Sequence, residues 1–467
     1  MAAITREIAR FVAENSYEAL PTEVRERVKA LILDTVGIAL RARHDAESTP
    51  AMVAAVGRLG LASGACTVIG DAAGYSPAGA AMVNGTLAHS LDFDDTHATA
   101  SLHPSAPIVP AALAAAEMTE ADGKALIAAI VAGYEVQIRL SLALDPAAHY
   151  DQGFHPTATC GAFGAAVASG RLLRLDPEGY ANALGIVLSM SSGSMQFLVN
   201  GAWTKRSHVG HAAMCGLTAA TLAREGYRGA SEAIEGKWGF LHAYAPAADA
   251  AKAVDEFGRR WETLKIAVKP YPSCRYSHAA IDGILALAHE QGIKGDEVEE
   301  VMVGLPEPGW KLIGDPEAAK QSPKSVVDGQ FSMAFCAAIA LRKGAFVWDD
   351  YARHLGDPEV LALCKKVRTQ VDPKVQADFP AEMGGTVRIR TRRGVFETHV
   401  RIPKGEPANF LSAAQLRAKF DGLTAPYLSE RRRDELARAI LGLEQAKEIS
   451  ALLRLTCPDR TASRRVA

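Results

Sequence analysis

Val24, Val28, Leu31, Ile32 and Val36 recur every three or four positions among the charges of TEVRERVKALILDTVGIAL (22–40), which predicts an amphipathic helix with one buried stripe. Pro21 suits its first turn, where the missing backbone donor would be unpaired anyway. Alanine-rich segments follow at 77–90, 106–120, 123–146, 157–174, 177–192 and 208–224, with few β-branched runs and with small residues that let helices approach closely. Up to about residue 260 the pattern predicts an all-α domain.

The pattern then changes period. EEVMVGLP (299–306), KVRTQVD (366–372) and TVRIR…GVFETHVRI (386–402) alternate apolar and polar residues, as half-buried strands do, and Gly394 marks a hairpin turn. Helical patterns recur between them at 277–291 and 328–342, so residues 265–403 read as a smaller α+β domain. Helical periodicity returns at 410–420 and 429–454. The expected fold is therefore mainly α: a large helical domain built from 1–264 and 404–467, with 265–403 inserted as an α+β lid hinged at two crossings. Such a pair commonly encloses a ligand cleft.

A chain of 467 residues with 48% hydrophobic positions supports two cores rather than one. Its 51 basic and 53 acidic residues give a net charge of −2, which provides no long-range attraction for nucleic acid or an anionic membrane; an anion site must be assembled locally. The seven cysteines form no Cys-x-x-Cys pair and are odd in number, which points to a reducing compartment. Charges at Arg6, Glu7, Arg10 and Glu14 interrupt what a signal peptide would need, and no run of about 18 apolar residues follows. A cytoplasmic protein is expected.

Chemistry concentrates in four segments. Between His89 and His103, three histidines and three aspartates fall within fifteen positions between apolar flanks, where polar groups are costly unless hydrogen-bonded or used. A helical turn would put Asp92 and Asp95 on one face and point Asp94 elsewhere. His103, held extended by Pro104, can project from a loop. The bland alternative makes Asp95 or Thr96 a helix cap, His89 a core histidine and His97 solvated. In GFHPT, His155 precedes a helix that Thr157 would cap, and the free N–H groups there favour an anion. In TKRSHVGH, Lys205, Arg206, His208 and His211 gather just before the next helix, against the rule that disfavours cations at a helix start. In KPYPSCRYSH, two prolines stiffen a segment that can present Lys269, Arg275 and His278. No P-loop, Rossmann, iron–sulfur or HExxH spacing occurs, so neither a cofactor nor a metal is expected.

The motifs NGTLAHSLDFDDTH…HPS, GFHPTATCGAFGAA, TKRSHVGHAA and KPYPSCRYSHAAID, in this order from about 84 to 282, resemble those of the MmgE/PrpD family, which includes 2-methylcitrate dehydratase, cis-aconitate decarboxylase and iminodisuccinate epimerase. The resemblance implies a homodimer and a site containing Asp92, Thr96, His103, His155, Lys205 and Lys269. In the decarboxylase branch a histidine takes the place of Cys274 and a tyrosine that of Phe335, so both positions depart from it.

The three family reactions all develop negative charge beside a carboxylate. Lys205, Lys269 and Arg275 are expected to clamp substrate carboxylates, with Thr96, Arg206 and His278 as further binding residues. His103 and His155 are the expected acid and base, and Asp92 the group that holds a cation or fixes a histidine. The leading expectation is a metal-independent dehydratase of a small citrate-like hydroxy-polycarboxylate, followed by an epimerase or decarboxylase. A polycarboxylate-binding protein without turnover is the non-enzymatic alternative.

Overall fold

The computed structural model describes residues 3–459, and the chain divides into two compact units: one runs up to Ala267 and resumes at Ala413, the other is Val268–Ser412. The larger unit is helical, and the chain as a whole is mainly α. Its helices are α1 (Ile4–Glu14), α2 (Thr22–Asp45), α3 (Thr49–Arg58), α4 (Pro77–Ala88), α5 (Ser105–Thr119), α6 (Gly123–Leu144), α7 (Pro146–Asp151), α8 (Pro156–Leu172), α9 (Pro177–Leu188) and α10 (Thr204–Arg224). The predicted stripe Val24, Val28, Leu31, Ile32 and Val36 is buried, and α2 extends to Asp45. Pro21 lies one position earlier than the first turn, as the N-cap.

The small side chains decide how closely the central helices cross. A methyl group built on Gly210 of α10 would lie 2.2 Å from the Met82 carbonyl oxygen of α4, and one on Gly216 would lie 2.4 Å from Ala165 Cβ of α8. Only glycine admits these approaches. They seat α10 against α4 and α8 and bring the start of α10 beside the end of α4.

Among the described residues, α6 is the helix long and apolar enough to cross a membrane by length and composition, yet 89% of its most apolar window is buried. Mid-helix, Glu135 pairs with Arg139, both fully buried. Glu135 also accepts hydrogen bonds from the backbone of Glu262 (3.1 Å) and Thr263 (2.8 Å), and Arg139 donates to the carbonyls of Asp255 and Arg260. Desolvated charges this fully paired tie a loop to a core helix.

The larger unit also carries two minimal sheets, β1 (Cys66–Thr67) with β2 (Gly74–Tyr75), and β3 (Thr96–His97) antiparallel to β4 (Ile266–Ala267). The C-terminal segment adds helices Ala413–Thr424 and Glu430–Leu441; the predicted pattern at 429–454 breaks at Gly442, a poor helix former, into a 3₁₀ turn and a short helix Ile449–Leu453.

The smaller unit is built on a four-stranded sheet ordered β6-β5-β7-β8, with β5 Val298–Leu305, β6 Val367–Val371, β7 Gly385–Thr391 and β8 Gly394–Val400. β5 runs parallel to β6, and the other pairs are antiparallel. Val301, Val303 and Leu305 alternate inward with Val387 and Ile389 to form a core with helices His278–Gln291 and Met333–Lys343. Gly394 opens β8 at φ +143°, a conformation side chains rarely adopt, consistent with the tight hairpin. The second helix starts later than the sequence pattern suggests, because Ser332 caps it by accepting from Phe335 N.

Candidate active site

Helix α4 ends at Ala88, and the next residues leave the helix. Asp92 has φ +49°, a left-handed conformation that aspartate tolerates better than most residues, and this turns the chain so that successive carboxylates point to different partners. The expectation that Asp92 and Asp95 share a helical face is therefore wrong. Asp92 Oδ1 accepts from Lys205 Nζ at 2.9 Å. Asp95 caps α5, accepting from Ser105 N at 3.1 Å and from the Ser105 hydroxyl. Burial pushes the Asp95 carboxyl up to about 8, against the lowering effect of its Ser105 bond.

Asp94, which the helical reading pointed elsewhere, lies at the centre. Its Oδ2 is 2.7 Å from His89 Nδ1 and 3.1 Å from His103 Nδ1. Burial alone would raise its pKa, but the two imidazoles outweigh that and hold the carboxyl well below its usual range. From behind, Lys419 donates to the Phe93 carbonyl at 3.0 Å, sits over the Phe93 ring and pairs with Asp34 at 2.6 Å, so a residue more than three hundred positions away fixes the loop. That support leaves no local trace in the sequence.

His103 stands just before α5, as its proline implied, and its backbone N–H donates to Thr157 Oγ1 at 3.2 Å. This bond occupies the hydroxyl that the sequence reading gave to capping. His155 itself is the N-cap of α8, with Pro156 at the first helical position and no side-chain cap bond. Its backbone N–H donates to Gly193 O at 3.0 Å. Burial, then the charges of His89, Lys205, His208 and His103, push the His155 ring well below its usual range, so it is neutral near pH 7. Burial likewise takes His89 down to about 4.

The four rings form a continuous group: His89–His103 centroids are 4.6 Å apart, His89–His155 5.8 Å and His155–His208 5.7 Å. His89 Nε2, His155 Nδ1 and His208 Nδ1 are buried nitrogens without a hydrogen-bond partner among the described residues. Lys205 and Arg206 lie in the first turn of α10 and His208 and His211 farther along it, because α10 begins at Thr204 rather than after His211 as the sequence suggested. Asp92 compensates the cation at that helix start: burial lowers the Lys205 pKa, but Asp92 and then Asp94 outweigh it and raise it overall. Arg206 donates instead to Ser48 Oγ at 3.1 Å. Tyr150, not singled out in the sequence, donates to Ser101 O at 3.1 Å, and its pKa responds to Lys205 and Asp92 after burial.

Thr96 pairs in β3 with Ala267, and its buried hydroxyl has no hydrogen-bond partner among the described residues. His97 is buried rather than solvated, bonded to Glu262 at 3.2 Å and accepting from Ala100 N at 3.1 Å, a structural position. In the smaller unit, Arg275 does not present an uncommitted guanidinium. Glu406 accepts from its Nε at 2.8 Å and also from its Nη2. His278 opens helix His278–Gln291, with Nε2 3.2 Å from Ser273 O, and Lys269 is buried. Phe335 is fully buried in the core of this unit, stacked on Tyr351 at 5.6 Å. A cavity of about 800 Å³ lined by residues such as Leu285, Ile293 and Arg342 belongs to the same unit and contains none of the candidate site residues.

One donor atom each of His89, Asp94 and His103 lie within 4.8 Å of one another, a donor set suited in type to a divalent metal. Two ligands on one tetrahedral ion with bonds of about 2.0–2.1 Å stand about 3.3 Å apart. The His89–Asp94 separation of 2.7 Å fits a direct hydrogen bond better.

Comparison with known proteins supplies the lineage. The MmgE/PrpD N-terminal domain matches residues 6–252 and the MmgE/PrpD C-terminal domain residues 271–445. A cis-aconitate decarboxylase of Aspergillus terreus is 28% identical over 98% of this chain and 97% of its own length. The cis-aconitate decarboxylase-like protein oryM of Aspergillus oryzae is 28% identical over 97% of each chain. A cis-aconitate decarboxylase of Mus musculus is 27% identical over 81% of this chain and 78% of its own. With both domains matched over most of its length, the chain belongs to the MmgE/PrpD family.

Proposed function

We propose that this protein is a lyase acting on a small citrate-like tricarboxylate, with decarboxylation of a cis-aconitate-like acid as the first reading. The observation that carries it is the grouping, within one unit, of an anchored cation with two imidazoles in different environments: Lys205 on Asp92, His103 beside Asp94, and neutral His155. Loss of CO2 leaves an electron pair on a carbon next to a carboxylate. Lys205 offsets that charge, and an imidazolium at His103 delivers the proton that the carbon takes up. His155, neutral near pH 7, accepts a proton or a hydrogen bond from the substrate.

Dehydration of a 2-methylcitrate-like hydroxy acid, first in the sequence reading, becomes the second. Full-length relatives named as decarboxylases support the change, and the departure at Phe335 loses weight because that ring packs a core. Cys274 still favours dehydration. Both readings retain a metal-independent site, a homodimer and a cytoplasmic setting, with sedimentation measuring the dimer. Arg275 and His278 carry no step in either.

Incubation with cis-aconitate, 2-methylcitrate and close analogues in deuterated water, followed by NMR, separates the readings. Decarboxylation gives a deuterated product with one carboxylate fewer, whereas dehydration gives an alkene with all three. Deuterium exchange without either change identifies an epimerase, and binding without turnover a non-enzymatic receptor. His103→Gln is expected to lower kcat by about 10²-fold or more; near-normal turnover removes His103 from the mechanism.

A further inference from the structure

A group of residues that the proposed chemistry does not use surrounds His103. Asp94 is fully buried, and one of its oxygens, Oδ2, meets two imidazoles at the same ring position, His89 Nδ1 at 2.7 Å and His103 Nδ1 at 3.1 Å. A carboxylate oxygen repels a nitrogen lone pair at such distances, so both Nδ1 atoms must carry hydrogen. The His103 contact is not aligned as a hydrogen bond here, as is common for catalytic contacts before substrate binds. The remaining ring atom, Nε2, is then the one through which each histidine exchanges protons or accepts bonds. His89 Nε2 is buried and unpartnered among the described residues, whereas the His103 side chain is 15% exposed.

We infer that Asp94 is the positioning residue of the site, holding His89 and His103 through their Nδ1 atoms so that His103 transfers its proton through Nε2 and His89 stays a neutral acceptor. This rests on the proposed acid–base use of His103. The position is over-determined. Asp95 caps α5 immediately after His103, Lys419 holds Phe93 from behind, and the His103 backbone is bonded to Thr157. The other titratable groups that act on the pair are His155 at the start of α8, Lys205 with Asp92, and Asp95 and Asp34, both coupled to Asp94.

The test is 15N NMR of the full-length protein labelled at histidine, with the His103 signals assigned by comparison with His103→Gln. At pH 8 wild-type His103 and His89 are expected as Nδ1–H tautomers. In Asp94→Asn, His103 is expected to redistribute towards Nε2–H. Its kcat should fall about 10²-fold with KM within threefold, because the ring no longer exchanges its proton through Nε2. An Nε2–H tautomer of His103 in the wild type overturns the inference even if the variant does not fold. So does a folded variant whose kcat stays within threefold of wild type. The two failures are distinguishable: active His103→Gln defeats the acid–base role whatever the tautomer, while an Nε2–H wild type defeats Asp94 whatever His103→Gln does.

Discussion

Two segments carry the same kind of residues and meet different fates. The loop from His89 to His103 and the segment from Lys269 to His278 both carry histidine and charged side chains, and both precede helices. Around the first, ring nitrogens of His89 and of His155 remain buried without hydrogen-bond partners among the described residues, and Lys205 is anchored on the loop's Asp92. In the second, Arg275 is clasped by Glu406, His278 lies against Ser273 O, and Tyr271 donates to Asp282 at 2.6 Å. Unspent hydrogen-bonding capacity held in place by neighbours marks a reactive wall; satisfied capacity marks a fold-stabilising one.

The largest expected effect tests the reactive side. Lys205→Ala should lower kcat/KM by about 10²–10³-fold in steady-state kinetics, a loss well beyond what the uncompensated Asp92 costs in thermal stability, as expected for the loss of one stabiliser of developing charge. If stability falls and turnover survives, the Lys205–Asp92 pair is structural and the contrast between the segments collapses.

Next is Gly210→Ala, whose added methyl has no room beside Met82 O; denaturant unfolding should show a loss of about 2–3 kcal/mol. Residual activity should also fall, since α10 carries Lys205. Arg275→Ala should behave oppositely, costing about 2–3 kcal/mol through the uncompensated Glu406 while leaving kcat within about threefold. A tenfold rise in KM with unchanged stability would instead restore Arg275 as a substrate clamp.

The smallest effect concerns Asp95. Its folded pKa, about 8, exceeds the ordinary value of 3.8, so the folded state binds the proton more tightly. The stability this contributes is present below pH 4 and lost as pH rises towards 8. Asp95→Asn should flatten the stability-versus-pH curve across that window; an unchanged slope would show that Asp95 ionises normally.

Periodicity made the helices legible, because apolar spacing follows directly from which face each helix buries. α2, α4, α5, α6, α8 and the strand β5 begin or end within a few residues of the patterns that announced them. Terminal details failed where a distant group outweighed local preference. Thr157 lost its cap to His155, α10 began before its cations with Asp92 compensating Lys205, and the pattern after 429 broke at Gly442. The motifs located the loop on which Asp92, Asp94 and His103 lie, and the fold sets which partner each meets. A helical turn points Asp94 away from that face, whereas the left-handed turn at Asp92 brings it between His89 and His103.

The sequence by itself therefore determined the mainly α class, the family and the candidate residues Asp92, Thr96, His103, His155 and Lys205, since periodicity and motif order are properties of the chain. Tertiary structure alone decided that Asp92 belongs to Lys205, that Asp94 joins His89 to His103, and that Arg275 belongs to Glu406. The reason is physical: a left-handed residue at Asp92 and a glycine contact at Gly210 set which side chains meet, and pairing across such separations depends on three-dimensional approach rather than spacing.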